Sequence, residues 1–478
     1  MKKSLLLACM ALMGANAYAY QEPEGTYANV DGYTFKNICI NSNMYGSMSE
    51  AFAGAALKLN DDGTPAHKEW SDVNALGYFP TARVFNGKIY AVSSSRWTAE
   101  GSALLGSLIV FDLQTGELEK SIQLTLDGQP YGGTLAPHVV GVDDFGHLYV
   151  VNTIFAGGLL ASSPATVYTV NLETGALTPA LTFWLPDDDE AYCDRTNYFD
   201  LVGDITREQA RCVLMAAPQS ENFTATIYGW EWEQGAGASE FTGKFDGYCT
   251  LPATEVYPEG DGSFHGGTTL TIVRDEEFNA LTFYIDDMNS CPALYNTEGA
   301  MVDSFAGVTN EGDKEDEGYI PTVPATNPNG VCEFAFGDDL FLTYPIEEYG
   351  SGATCRANLV KLGEGGDFST MKRLYTYPAS GLGNVSDGGR RISTFSVEVK
   401  TDANGKHGAY LMHFKSGQGF TYNLFAEEGY TDAAVNAVEV ADSNAPVEFF
   451  NLQGIRVANP ENGVFIRRQG ANVSKVVL

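Results

Sequence analysis

A chain of 478 residues with 61 acidic against 28 basic side chains is long enough for one large domain or two to three ordinary ones. Its net charge of −33 repels phosphate backbones and anionic lipid alike, which argues against nucleic-acid binding and polybasic membrane docking. Charged residues at 19% and as many as 52 glycines describe a turn-rich β protein, and they argue against a helical bundle or a disordered chain.

In chain order, Lys2 and Lys3 precede an apolar run that closes on Ala17-Tyr18-Ala19, the small-x-small pattern of a signal peptide. Residues 1–19 are therefore expected to be removed on export, with the mature chain starting at Tyr20. Cys9 after Leu6-Leu7-Ala8 imitates a lipoprotein box, but cleavage there leaves too short an apolar segment. No later stretch reaches the roughly 20 apolar residues of a membrane helix. The expected address is the periplasm, the cell surface or the exterior, with no transmembrane segment. Next comes a lone strand over Tyr33–Ile40, then a long connection from Asn41 to Gly77 that reads as a partial blade or a functional surface loop.

From Asn86 the chain repeats itself, and a repeat period fixes an architecture. Asn86-Gly87-Lys88-Ile89-Tyr90-Ala91-Val92 returns as Phe145-Gly146-His147-Leu148-Tyr149-Val150-Val151, with the tyrosines 59 positions apart. Ile109-Val110-Phe111-Asp112-Leu113-Gln114-Thr115-Gly116 returns at the same spacing as Tyr168-Thr169-Val170-Asn171-Leu172-Glu173-Thr174-Gly175. A weaker copy surrounds Trp230 and Trp232, and further strand patterns continue to Tyr422-Asn423-Leu424-Phe425. Within each unit apolar and polar residues alternate between Asn-Gly, Phe-Gly or Thr-Gly turns, the pattern of strands and hairpins.

A four-stranded unit of this length cannot bury both its faces alone, whereas units stacked radially cover each other. The expected fold is all-β: a six-bladed β-propeller over residues 20–445, with seven blades as the alternative count. Residues 78 to 430 hold six periods. Ring closure assigns the lone Tyr33–Ile40 strand to the outside of the last blade.

The stretch from Phe111-Asp112-Leu113-Gln114-Thr115-Gly116 through Gly128-Gln129-Pro130 to Asp144-Phe145-Gly146-His147-Leu148-Tyr149-Val150-Val151-Asn152 resembles the repeat of YVTN-type surface-layer β-propellers. Those repeats carry an Asp-x-x-Thr-Gly turn, a Gly-x-Pro lead-in and an Asp-x-x-Gly turn running into Tyr-Val-Thr-Asn. The resemblance covers two blades well, and it implies the fold; propellers host many unrelated activities.

Residues 446–478 form a separate small β module. Glu448 and Glu461 stand against Arg456, Arg467, Arg468 and Lys475, a positive balance in an acidic chain. Phe449-Phe450-Asn451-Leu452-Gln453-Gly454-Ile455-Arg456-Val457 followed by Asn462-Gly463-Val464-Phe465-Ile466 is similar to the C-terminal sorting-type domains of exported Bacteroidetes proteins. That resemblance implies a contact with secretion machinery or a surface-attachment signal; a plain hairpin packed on the propeller is the alternative.

Chemical motifs are scarce. Seven cysteines follow the signal segment, with no C-x-x-C spacing, so zinc clusters and dithiol chemistry are not suggested. Buried free thiols with one or two bridges are expected, Cys193 with Cys212 and Cys332 with Cys355 being the nearest-spaced pairs. Gly237–Lys244 fails the phosphate-loop spacing, and H-E-x-x-H, G-x-S-x-G and EF-hand patterns are absent. His138 and His265 lack a fixed carboxylate partner for a metal, and Asp187-Asp188-Asp189-Glu190 reads as a solvated loop in preference to a calcium site. No cofactor is expected.

Residues just ahead of each innermost strand converge on the channel mouth of a propeller. Here they include Arg83, His138, Asp200, His265 and Arg391, with Arg195, Tyr198 and Arg390 close by. Such cationic and aromatic groups suit an acidic sugar, a carboxylate or another anionic ligand. Pairing with a neighbouring blade is the structural alternative for each. The expected function is an exported, non-enzymatic binding or scaffold propeller whose partner is a glycan, a small anionic ligand or a protein. A glycosidase or polysaccharide lyase, with Asp200 and a second channel carboxylate as acid and base and Arg83 and Arg391 binding a carboxylate, is one alternative. A structural surface protein is the other.

Overall fold

A computed structural model describes residues 32–42, 81–92, 106–131, 139–151, 165–183, 191–192, 199–216, 219–220, 224–243, 249–252, 269–287, 290–305, 308, 330–346, 356–378, 381–382, 393–415, 419–431, 447–450, 456–457, 464–469 and 472–477. The chain divides into two compact units, residues 1–399 with 409–425, and residues 400–408 with 426–478.

The chain opens with β1 (Tyr33–Asn41). Blade 1 then runs outward through β2 (Ala82–Phe85), β3 (Lys88–Val92), β4 (Ser107–Asp112) and β5 (Leu118–Gln123), and a short hairpin of β6 (Thr125–Leu126) and β7 (Gln129–Pro130) follows. Blade 2 contains β8 (Val139–Val142), β9 (Leu148–Val151), β10 (Ala165–Val170) and β11 (Leu177–Phe183). A two-residue strand β12 (Ala191–Tyr192) precedes blade 3, made of β13 (Phe199–Gly203), β14 (Cys212–Ala216), β16 (Thr224–Trp232) and β17 (Cys249–Pro252); β15 (Gln219–Ser220) pairs with β12. Blade 4 is β18 (Thr269–Arg274), β19 (Ala280–Asp287), β20 (Ser290–Asn296) and β21 (Met301–Ser304). Blade 5 is β22 (Cys332–Phe336), β23 (Asp339–Ile346), β24 (Arg356–Lys361) and β25 (Lys372–Tyr377). Blade 6 takes β26 (Ser393–Thr401), β27 (His407–Lys415) and β28 (Gly419–Glu427), and its outer strand is β1. The fold is thus all-β with six blades, closed by the first strand of the chain. Among the described residues no helix is long and apolar enough to cross a membrane.

Strand periodicity explains the ring. In β4, Ile109 and Phe111 join a core shared with blade 6, while Leu108 and Val110 join a core shared with blade 2. A middle strand therefore buries both faces and reads as a continuous apolar run, Leu108-Ile109-Val110-Phe111. The outermost β5 is largely exposed and carries Glu119 and Lys120, charges that blunt an open sheet edge. The same two-sided packing recurs between blades 2 and 3, 3 and 4, 4 and 5, and 5 and 6. Each interface has its own apolar cluster, so the ring is held by burial at every junction, with Trp230 and Trp232 of β16 fully inaccessible in one of them.

Turn chemistry repeats with the sequence. Asp112 Oδ1 accepts from the amides of Gln114 and Thr115 at 3.0 and 2.9 Å, and Asn171 Oδ1 accepts from Glu173 and Thr174 at 3.0 and 3.1 Å. Gly175 at φ +74° closes its turn against blade 1, where a Cβ would stand 1.9 Å from the carbonyl oxygen of Gln123. Only glycine fits there. The period also appears between blades: Thr81 Oγ1 accepts from Val140 N at 2.9 Å, and Asp144 Oδ2 from Gly203 N at 2.7 Å, each pair 59 positions apart.

In the second unit, Asp402 Oδ2 accepts from Thr431 N at 2.9 Å and Glu427 Oε2 accepts from His407 N at 2.6 Å. Its remaining strands, β29 (Val447–Phe450), β30 (Arg456–Val457), β31 (Val464–Gln469) and β32 (Asn472–Val477), form one antiparallel sheet in the order β30-β29-β31-β32. Cys39, Cys212 and Cys332 are free thiols, so neither of the nearest-spaced cysteine pairs is bridged.

Candidate functional site

Of the residues singled out from sequence, Arg83 and Asp200 lie within the described residues; His138, Arg195, Tyr198, His265, Arg390 and Arg391 lie outside them. Arg83 and Asp200 stand inside their strands instead of ahead of them, each the second residue of an innermost strand, β2 and β13. Glu333 holds the same place in β22. These strands belong to blades 1, 3 and 5, which are not neighbours. Burial is the larger cause of the shift at both Asp200 and Cys332, and the charge of Arg83 adds a smaller, opposing contribution at each. Tyr149, on β9 of blade 2, feels both Asp200 and Arg83.

Enclosure sets the chemistry of the group. Burial pushes the Asp200 carboxyl up to about 6, against the pull of amide hydrogen bonds from Ile272 and Leu201 and of the Arg83 charge. Its Oδ2 accepts from Ile272 N of blade 4 at 2.8 Å. Burial also raises Glu333, which accepts a 2.5 Å hydrogen bond from the Tyr284 hydroxyl, and drives the Cys332 thiol up to about 12. Cys332 is therefore a protonated, unreactive thiol. Tyr149 lies against Gly141 on the inner strand of its own blade, where no side chain could stand.

The carboxylates have protein donors, and the guanidinium is the group with capacity to spare. Arg83 is half-buried and uses Nη1 on the carbonyl of Ala82 at 2.9 Å; among the described residues it forms no ion pair. A guanidinium carries five N–H donors in a fork suited to carboxylate. Sequence reasoning missed Glu333, Tyr149 and Tyr284. Glu333 sits in the alternating Cys332-Glu333-Phe334-Ala335-Phe336, and a charged residue in an inner-strand pattern was the available signal.

A second polar group lies at the turns between the first two strands of blades 2 and 3. Asp143, before the Phe145-Gly146 turn, and Asp204, after β13, flank His147, whose Nδ1 is 2.9 Å from Asp143 Oδ2 and 3.4 Å from Asp204 Oδ1. Beside them Arg274 of blade 4 holds Asp144 at 2.6 Å, and Arg211 bridges Glu231 and Asn279.

No protein-family model matches the chain, and no curated protein matches it by sequence. Solved structures similar to it include a protein of unknown function from Dyadobacter fermentans, at 10% identity and TM-score 0.36, covering 83% of this chain and all (100%) of that one. An α-L-arabinofuranosidase from Fusarium graminearum gives 11% identity and TM-score 0.37, covering 78% and 96%. The N-terminal domain of Nup159 gives 11% and 0.34, covering 84% and 97%. Likenesses this distant say nothing of activity.

Proposed function

We propose that this is an exported, non-enzymatic propeller that recognises a carboxylate-bearing glycan or a similar small anionic ligand in its central channel. The observation behind the reading is Arg83: a half-buried guanidinium on an innermost strand, without an ion-pair partner among the described residues. A carboxylate on the ligand would take its free N–H donors as a bidentate pair, while ligand hydroxyls would donate to Asp200 and Glu333. The basic tail at 446–478 would serve export or surface attachment. A glycan array probed with the mature chain and with Arg83→Ala tests this. Selective retention of uronate-bearing or sialylated glycans, lost in the variant, is expected; the absence of any acidic glycan among the bound set would remove the reading.

A second reading starts from the two raised carboxyls on innermost strands, Asp200 and Glu333. A glycoside hydrolase needs such a pair as acid and base or nucleophile. Release of reducing ends from a bound glycan, abolished in both Asp200→Asn and Glu333→Gln, would replace the binding function with this one.

A further inference from the structure

We infer that Asp143, His147 and Asp204 form a binding site for a single transition-metal dication, zinc by its donor set, joining the turns of blades 2 and 3. Three ligand atoms, one imidazole nitrogen and two carboxylate oxygens, lie within 4.8 Å of one another. Zinc bonds of about 2.0–2.1 Å in a tetrahedron put ligand atoms ~3.3 Å apart. The observed 2.9 and 3.4 Å between His147 Nδ1 and the two carboxylates bracket that spacing. A small movement of the imidazole admits the ion, which takes the place of the Nδ1 proton.

Charge gives an independent reason for a cation here. Both carboxylate side chains are wholly inaccessible, and a cation shared between them would offset part of the cost of burying two like charges together. Among the described residues, no lysine or arginine forms an ion pair with either. The nearby Arg207 directs its guanidinium to the carbonyls of Ala180, Ala236 and Ile205, and Arg274 is engaged by Asp144. That leaves the imidazole of His147 as the side-chain nitrogen facing both carboxylates.

The surroundings fit a site with an open fourth position. Asp143 Oδ1 is held by the amides of Phe145 and His147, and Asp204 Oδ2 by Gln209 N, which fixes both carboxylates from behind. The Asp143 oxygen facing the imidazole accepts one further bond, from Ile205 N, and the Asp204 one accepts from Thr206 N and its hydroxyl. His147 is 32% exposed, so an ion can enter and a water or ligand group can complete the shell. A nitrogen donor and only three protein ligands disfavour calcium, which takes six to eight oxygens.

Calorimetric titration of the EDTA-stripped full chain with zinc, manganese and calcium chlorides decides the matter. One equivalent of zinc is expected to bind, at least tenfold more tightly than manganese or calcium, and zinc should raise the melting temperature. His147→Ala, altering a partly exposed side chain, should keep the fold by circular dichroism and lose the zinc heat; Asp204→Asn should lose it too. No stoichiometric zinc uptake by the native chain, or uptake unchanged in folded His147→Ala, would overturn the proposal.

Discussion

Removing the ring of Phe35 probes closure of the propeller at its weakest conceptual point, the junction of the chain's first strand with its last blade. Phe35 is 8% exposed and packs between Tyr375 and Tyr377 of blade 5, at centroid distances of 4.8 and 5.2 Å. It belongs to the cluster that joins blades 5 and 6. Truncating a buried phenylalanine to alanine costs about 3–5 kcal/mol through lost transfer energy and the cavity left behind. Domains of this kind hold about 5–15 kcal/mol in total. Phe35→Ala should therefore lower the urea midpoint strongly, while Phe35→Leu, which keeps most of the apolar volume, should cost under about 1.5 kcal/mol. Tryptophan fluorescence, with Trp230 and Trp232 as buried reporters, follows the transition. A Phe35→Ala change within about 0.5 kcal/mol of the native chain, the behaviour of a surface position, would refute the assignment of β1 to the last blade.

Three further outcomes follow from the same structure. Asp200 binds its proton more tightly folded, at about 6, than at its ordinary 3.8, so its contribution favours the native state at low pH and is lost as pH rises from about 4 through 6. Asp200→Asn should consequently gain about 2 kcal/mol relative to the native chain between pH 4 and 7.5 in paired denaturation curves; an unchanged difference would contradict the burial argument. Burial raises the thiols of Cys39 and Cys332 to about 12 and Cys212 well above its ordinary range, so peptide mapping after iodoacetamide at pH 8 should find all three unmodified until urea unfolds the chain. Gly175→Ala forces a side chain into a left-handed turn against Gln123 O and should destabilise by upward of about 1 kcal/mol, measured by calorimetric melting.

The repeat made the architecture readable because equal positions in successive blades face equal environments. Tyr90 and Tyr149 both fall on second strands, buried at 6% and 5%, and the Asp112 and Asn171 turns share their hydrogen bonds. The lone first strand was placed by the need for closure alone. Site residues were harder to see, since a period of 59 says which strand a residue occupies and not how far along the channel it lies. Arg83 and Asp200 proved to be one step inside their strands, and Glu333 was hidden in an aromatic alternation. His147 was read only as part of a motif, at the place of Lys88 one period earlier; its partner Asp204 comes from a blade whose turn has drifted from the consensus, so spacing could not join the two.

The most direct measurement of the channel account is titration of a carboxylated oligosaccharide into the native chain, Arg83→Gln and Arg83→Lys at low and high salt. Binding by the native chain that weakens with salt, falls at least tenfold in Arg83→Gln and recovers only in part in Arg83→Lys is the predicted result. Affinity that is indifferent to both substitutions would contradict it.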